Sequence, residues 1–215
     1  MASGDQAIRC GGVEMAATVT APTDARGTVI FAHGSGSGRY SPRNQFVAGV
    51  LNEANLATVL ADLLTPEEEQ GEQRGSRLRF DIGLLAERVT GIVDWTEQPA
   101  VLLPSRRGLF GASTGAAAAL FTAANRPEKI RAVVSRGGRP DLAADALPRV
   151  KAPTLLIVGG ADETVLELNH QAFDVLQCEK RLEVVPGATH LFEEPGALER
   201  VAELAAAWFT THLRR

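Results

Sequence analysis

Several features common in proteins are scarce in this chain. Its 215 residues include two cysteines, Cys10 and Cys178, far apart and without the spacing of metal ligands. Two distant thiols make no disulfide framework, so a reducing, cytoplasmic setting is expected, with both as inert buried side chains. Aromatic residues account for only 5%, with a single tyrosine, and point to an aliphatic core. No run approaches the roughly 18 to 20 apolar residues of a membrane-spanning helix. The first ten residues, MASGDQAIRC, lack a basic stretch leading into an apolar one, so neither a signal peptide nor a membrane partner is expected. Charge of one sign is also missing: 26 acidic against 22 basic residues leave a net charge of −4, which argues against a nucleic-acid partner. No internal repeat appears, and the length fits one domain spanning residues 1–215. A monomer and a homo-oligomer fit the sequence equally.

Glycine is plentiful, with 21 residues, as expected of many tight turns. Residues 6–10 and 13–20 read as short strands broken by Gly11-Gly12, an edge hairpin or meander. Residues 28–32 (TVIFA), 57–63 and 153–159 (PTLLIVG) read as strands buried in a parallel sheet, and 107–110 and 130–135 as further short strands. Helical patterns stand between them: 42–54 with Ser41 as N-cap, 80–97, 116–125, a short one at 142–147, and 165–176. A last strand at 180–185 leads to an amphipathic helix over 196–213. Residues 65–79 are polar and charged, either a solvated loop or an excursion rimming a site. Alternating strands and helices predict an α/β fold, a mostly parallel sheet covered on both faces, and with no long insertion after the strand at 130–135 no sizeable lid is expected. In such sheets the ligand site lies beyond the carboxyl ends of the strands.

Three polar residues fall at such ends. Gly111-Ala112-Ser113-Thr114-Gly115 is a G-x-S-x-G turn between strand and helix, which pushes the Ser113 hydroxyl outward where backbones pass too closely for larger residues. Asp162 follows the strand at 153–159, and His190 follows the strand at 180–185. A serine hydroxyl needs an imidazole to take its proton, and the imidazole needs a carboxylate to fix its tautomer. Taken singly, Asp162 also fits a helix N-cap and His190 a loop histidine; the order Ser113, Asp162, His190 is that of α/β-hydrolases.

The loop His33-Gly34-Ser35-Gly36-Ser37-Gly38 follows the strand at 28–32. Its Ser35 N–H (or that of Gly36), with the Thr114 N–H, would form an oxyanion hole, and His33 would brace the loop. A phosphate cradle is the competing reading, but G-x-x-x-x-G-K-[ST] has no counterpart, and Ser41 stands where G-x-G-x-x-G needs its third glycine. Arg39, Tyr40, Arg136 and Arg139 are expected near the same strand ends, as binders of a substrate carboxylate or as surface and loop-bracing groups. Phe192 is expected as a wall or packing residue.

With HGSGSG at 33–38, GASTG at 111–115, LLIVGGAD at 155–162 and GATH at 187–190, the chain resembles the α/β-hydrolase superfamily, in particular its dienelactone-hydrolase-like branch. The resemblance runs from Thr28 through the last helix. It implies hydrolysis without metal or organic cofactor. Dienelactone hydrolases proper use a cysteine nucleophile, and Ser113 in its place favours a general serine esterase acting on small-molecule esters. A thioesterase or acyltransferase would use the same three residues, and a receptor that binds without turnover could keep them.

Overall fold

In a computed structural model, residues 2–73, 75, 77–98 and 106–213 are described. Among them, eight strands form one sheet: β1 (Ala2–Cys10), β2 (Val13–Ala21), β3 (Thr28–Ala32), β4 (Ala57–Ala61), β5 (Arg107–Ala112), β6 (Ile130–Arg136), β7 (Thr154–Gly159) and β8 (Lys180–Val185). Their spatial order is β1-β2-β4-β3-β5-β6-β7-β8. β1 and β2 form an antiparallel hairpin paired from Ala2 with Ala21 to Cys10 with Val13, and β2 lies antiparallel on β4. Every later pairing is parallel. Gly11 and Gly12 make the hairpin turn at φ of 56° and 86°, backbone angles that favour glycine.

The described residues include six α-helices: α1 (Pro42–Glu53), α2 (Pro66–Gln73), α3 (Ile82–Trp95), α4 (Thr114–Asn125), α5 (Glu163–Val175) and α6 (Ala197–His212). β3, β4, β5 and β7 are buried at every position, which explains their largely apolar sequences. Alternate residues of each strand feed two cores. One joins Ile30, Leu109 and Val133 to α3 and α4; the other joins Phe31, Phe110 and Val134 to α1 and α6. Both faces are thereby covered, as in an α/β-hydrolase.

Three expectations shift. The stretch 65–79, open as a solvated loop or an excursion, carries α2 and leads into a 3-10 turn at Leu78–Phe80. Thr65 and Glu68 form a capping box, Thr65 N–H donating to Glu68 Oε2 at 2.8 Å and Glu68 N–H to Thr65 Oγ1 at 3.2 Å. Arg88, buried on α3, then anchors this helix through Glu68 at 2.7 Å. The short helix expected at 142–147 is instead two 3-10 turns, Pro140–Ala143 and Leu147–Arg149, with a proline in each first turn. Finally, α4 starts at Thr114, one residue past Ser113, rather than at Ala116. The two thiols are half-buried, and burial pushes both above their ordinary value.

Candidate active site

Ser113 sits between β5 and α4 at φ 50° and ψ −121°, a conformation that side chains with a Cβ rarely adopt. The flanking glycines explain how the chain reaches it. A Cβ on Gly111 would run into the backbone of Ala116, and one on Gly115 into the carbonyl oxygens of Ala32 and His33. Strand, corner and helix therefore pass at backbone contact, and the hydroxyl is presented at the sheet's carboxyl edge. It does not cap α4, and it makes no hydrogen bond among the described residues. A serine–histidine contact often tightens only around substrate.

The turn after β6 ties the other parts to this corner. Ser113 N–H donates to the Arg136 carbonyl at 3.3 Å, and Arg139 N–H donates to the Ser113 carbonyl at 3.1 Å. Between them, Gly137 has φ 51°, and a Cβ there would stand 3.2 Å from the His190 carbonyl and 3.6 Å from its Nδ1. One short turn thus touches both serine and histidine. On α5, buried Asn169 donates to the Gly138 carbonyl at 3.0 Å and holds the turn from behind. Neither Gly137 nor Asn169 was singled out in the sequence; the Gly-Gly pair after a strand was the available signal.

His190 Nδ1 and Asp162 Oδ2 are 2.7 Å apart. Asp162 occupies the N-cap position of α5, yet its side chain caps nothing. Its carboxylate faces the imidazole instead of the first turn of α5. Close passage positions the pair: a Cβ on Gly159 would strike the carbonyls of Ala188 and Thr189. Thr189 Oγ1 donates to Glu194 at 2.6 Å and fastens the far side of the histidine loop. Phe192 is a core residue, 1% exposed.

Across the corner, Gly34 approaches so closely that a Cβ on it would stand 3.1 Å from the Ser113 Cβ. His33 braces this loop: its Nε2 accepts the Leu63 N–H at 2.9 Å, which puts the ring proton on Nδ1, 2.9 Å from the Gly34 carbonyl. The Thr114 N–H, first in its helix, has no intrahelical partner and points out of the N-terminus. The Ser35 N–H is already engaged, donating to Thr114 Oγ1 at 3.0 Å. A cavity of about 950 Å³ opens beside this loop, walled by Ser35, Tyr40, Arg43, Asp62, Glu69 and Thr114 among others. It flanks Ser113 rather than covering it, since neither Ser113 nor His190 is in its wall. Residues 65–79 rim it through Thr65, Pro66, Glu69 and Arg79.

The four polar residues expected near these strand ends part company. Arg39 is held by Asp62 at 3.7 Å and Asp5 at 3.8 Å, and stacks 4.5 Å from the Tyr40 ring centroid. Arg139 pairs with Asp141 through two bonds of 2.8 and 2.7 Å. Both guanidinium groups are thus committed to the chain's own carboxylates and brace loops. Tyr40 is 61% exposed on the cavity wall. Arg136 is 7% exposed, with burial and the nearby Arg43 pushing its pKa down to about 10. Among the described residues, no group of three or more His, Cys, Asp or Glu side chains could hold a metal ion. Nor, among them, is any helix long and apolar enough to cross a membrane.

Sheet order, strand-to-helix corner and site position define an α/β-hydrolase. Residues 15–212 match the dienelactone hydrolase family, and the chain belongs to it. The crystal structure of a dienelactone hydrolase from Anabaena variabilis is 56% identical, with a TM-score of 0.96 over 99% of both chains. Est1E from Butyrivibrio proteoclasticus shares the fold at a TM-score of 0.82 and 17% identity, over 98% of this chain and 99% of its own. Two Mycobacterium tuberculosis proteins named "Putative phosphoribosyl transferase" are 57% identical over 96% of this chain, which covers 46% of each. Family and fold are thus those of the dienelactone hydrolases.

Proposed function

We propose that the protein is a serine carboxylic-ester hydrolase for small-molecule esters, working through Ser113, His190 and Asp162. The observation that carries this reading is the Asp162 carboxylate, 2.7 Å from His190 Nδ1 while the helix it heads goes uncapped. An aspartate serving only its helix would bond a first-turn N–H. With Nδ1–H held by Asp162, Nε2 is left as the base.

Ser113 Oγ attacks the ester carbonyl carbon while its proton passes to His190 Nε2, and Asp162 stabilises the resulting imidazolium. The oxyanion is received by the Thr114 N–H, aided by the dipole of α4. Ser35 supplies the second donor by sharing its N–H or by turning it away from Thr114 Oγ1. His190 then protonates the leaving alcohol as the tetrahedral intermediate collapses to the acyl-enzyme. Water, deprotonated by the same nitrogen, releases the acid and restores Ser113.

The name carried by the mycobacterial relatives belongs to proteins more than twice the length of this chain, and no contact in the site favours phosphoribosyl transfer over acyl transfer. The test is turnover of p-nitrophenyl butyrate by the wild type and by Ser113→Ala. Repeated turnover by the first and background rates for the second are expected. Equal rates would remove Ser113 from the reaction.

A further inference from the structure

β1 is an edge of the sheet, paired with β2 on one side and, among the described residues, with no strand on the other. The two-residue turn Gly11-Gly12 makes Cys10 and Val13, which flank it, a pair that exchanges hydrogen bonds. Alternation from there makes Arg9–Glu14, Ala7–Ala16 and Asp5–Thr18 the pairs that exchange none. The β2 side agrees: the Ala16 carbonyl faces away from β1 and accepts the Asp62 N–H at 2.9 Å. The backbone N–H and C=O groups of Asp5, Ala7 and Arg9 therefore face outward along the open edge. No backbone hydrogen bond reaches them among the described residues.

The two edges of the sheet are built differently. An open edge invites pairing with another chain unless charge, proline or a bulge blunts it. β8, at the opposite edge, carries Lys180, Arg181 and Glu183 within six residues. β1 runs for nine residues without proline or lysine, and its ladder is unbroken from Ala2 to Cys10. Its charged side chains, Asp5 and Arg9, are exposed on one face with Ala7 midway between them. Thr18 Oγ1 donates to Asp5 at 2.8 Å and Arg39 stands 3.8 Å from it, while Glu14 stands 3.4 Å from Arg9.

Those charges select a partner and a register. Two copies of β1 can pair antiparallel about a two-fold axis, and the residue on the axis sets what faces what. An axis at Asp5 or at Arg9 sets like charges against each other. One at Gln6 leaves Arg9 opposite Ser3, and one at Ile8 leaves it opposite Ala7. An axis at Ala7 sets Asp5 of each copy opposite Arg9 of the other, and the outward backbone groups of all three residues pair in the same step. We propose that the β1 edge is a homodimer interface, where a second copy of this chain pairs antiparallel with Ala7 on the two-fold axis. The sheet then continues from one copy into the other. The interface is independent of the reaction assigned to Ser113.

The test is sedimentation velocity from about 1 to about 100 μM, where weak dimers form and dissociate. The samples are the wild type, Ala7→Pro, Asp5→Arg, Arg9→Asp and an equimolar mixture of the last two, each with its thermal melt. The wild type should pass from monomer to dimer as concentration rises. Ala7→Pro removes an N–H that bonds nothing within the chain, and should stay monomeric with Tm little changed. Each charge variant alone sets like charges together on both sides of the axis, and should dimerise at least about tenfold more weakly. In the mixture every substituted charge again faces its opposite, so the dimer should return. A wild type still monomeric at about 100 μM overturns the interface, as does Ala7→Pro dimerising like the wild type. A mixture no more dimeric than its components overturns the register and the proposal with it. If Ala7→Pro does not fold, the charge variants and their mixture decide; if either charge variant does not fold, Ala7→Pro decides.

Discussion

Replacing Ser113 by glycine should abolish hydrolysis and make the protein more stable. At φ 50° and ψ −121° the serine Cβ is held in a conformation whose strain is on the order of 1–3 kcal/mol. Its hydroxyl makes no hydrogen bond among the described residues, so deleting it breaks none. Glycine adopts these angles freely but adds unfolded-state entropy of about 0.5–1 kcal/mol. The net gain is about 1 kcal/mol, or about 2–4 °C in Tm for a domain of this size. Ser113→Ala is the control: it removes the same oxygen and keeps the Cβ, so the strain stays. Differential scanning calorimetry of the three proteins should place Ser113→Gly above a nearly coincident wild type and Ser113→Ala. If Ser113→Ala gains as much as Ser113→Gly, the gain comes from losing the hydroxyl, and backbone strain at the nucleophile is refuted.

Three further outcomes follow from named contacts. Asp162→Asn should cut kcat about 10⁴-fold through the wrong imidazole tautomer, leaving Tm nearly unchanged, as ester turnover and calorimetry would show. His33 is held neutral by burial, its pKa below the ordinary 6.5, and only the neutral ring can accept the Leu63 N–H. Its contribution is therefore whole above pH 6.5 and shrinks as pH falls toward the folded-state value, because the unfolded chain takes up the proton first. Urea unfolding from pH 7.5 to 5 should show stability falling with pH, and His33→Gln, though less stable at pH 7.5, should flatten that slope. Gly115→Ala drives a Cβ into the Ala32 and His33 carbonyls, a backbone clash that no rotamer relieves. A loss of more than about 3 kcal/mol, or of soluble protein, is expected on expression and urea unfolding.

Much of this arrangement is legible in the sequence for identifiable reasons. β3, β4, β5 and β7 are sealed on both faces, so their apolar runs carry no competing pattern. Gly111 and Gly115 mark the corner because the backbone contacts leave no room for a Cβ. α2 was obscured because it buries no apolar face; the readable signal was local, Thr65-Pro66 with Glu68 closing the capping box. Residues 142–147 had helical spacing, but Pro140 and Pro148 open two separate 3-10 turns instead. Asp162 could not be assigned from its neighbours, since an N-cap and a histidine partner share the same local sequence. Only the return of the β8 loop over Gly159 brings His190 to it. The difference between Arg136 and the braced Arg39 and Arg139 is also tertiary, set by where Asp5, Asp62 and Asp141 fall.

The most direct test of Ser113 as the nucleophile is covalent trapping with a fluorophosphonate, read by intact mass and peptide mapping. One adduct per chain is expected, on the peptide carrying Ser113, absent in Ser113→Ala and formed far more slowly in Asp162→Asn. Labelling of Ser113→Ala at the wild-type rate, or an adduct mapped to another residue, would contradict it.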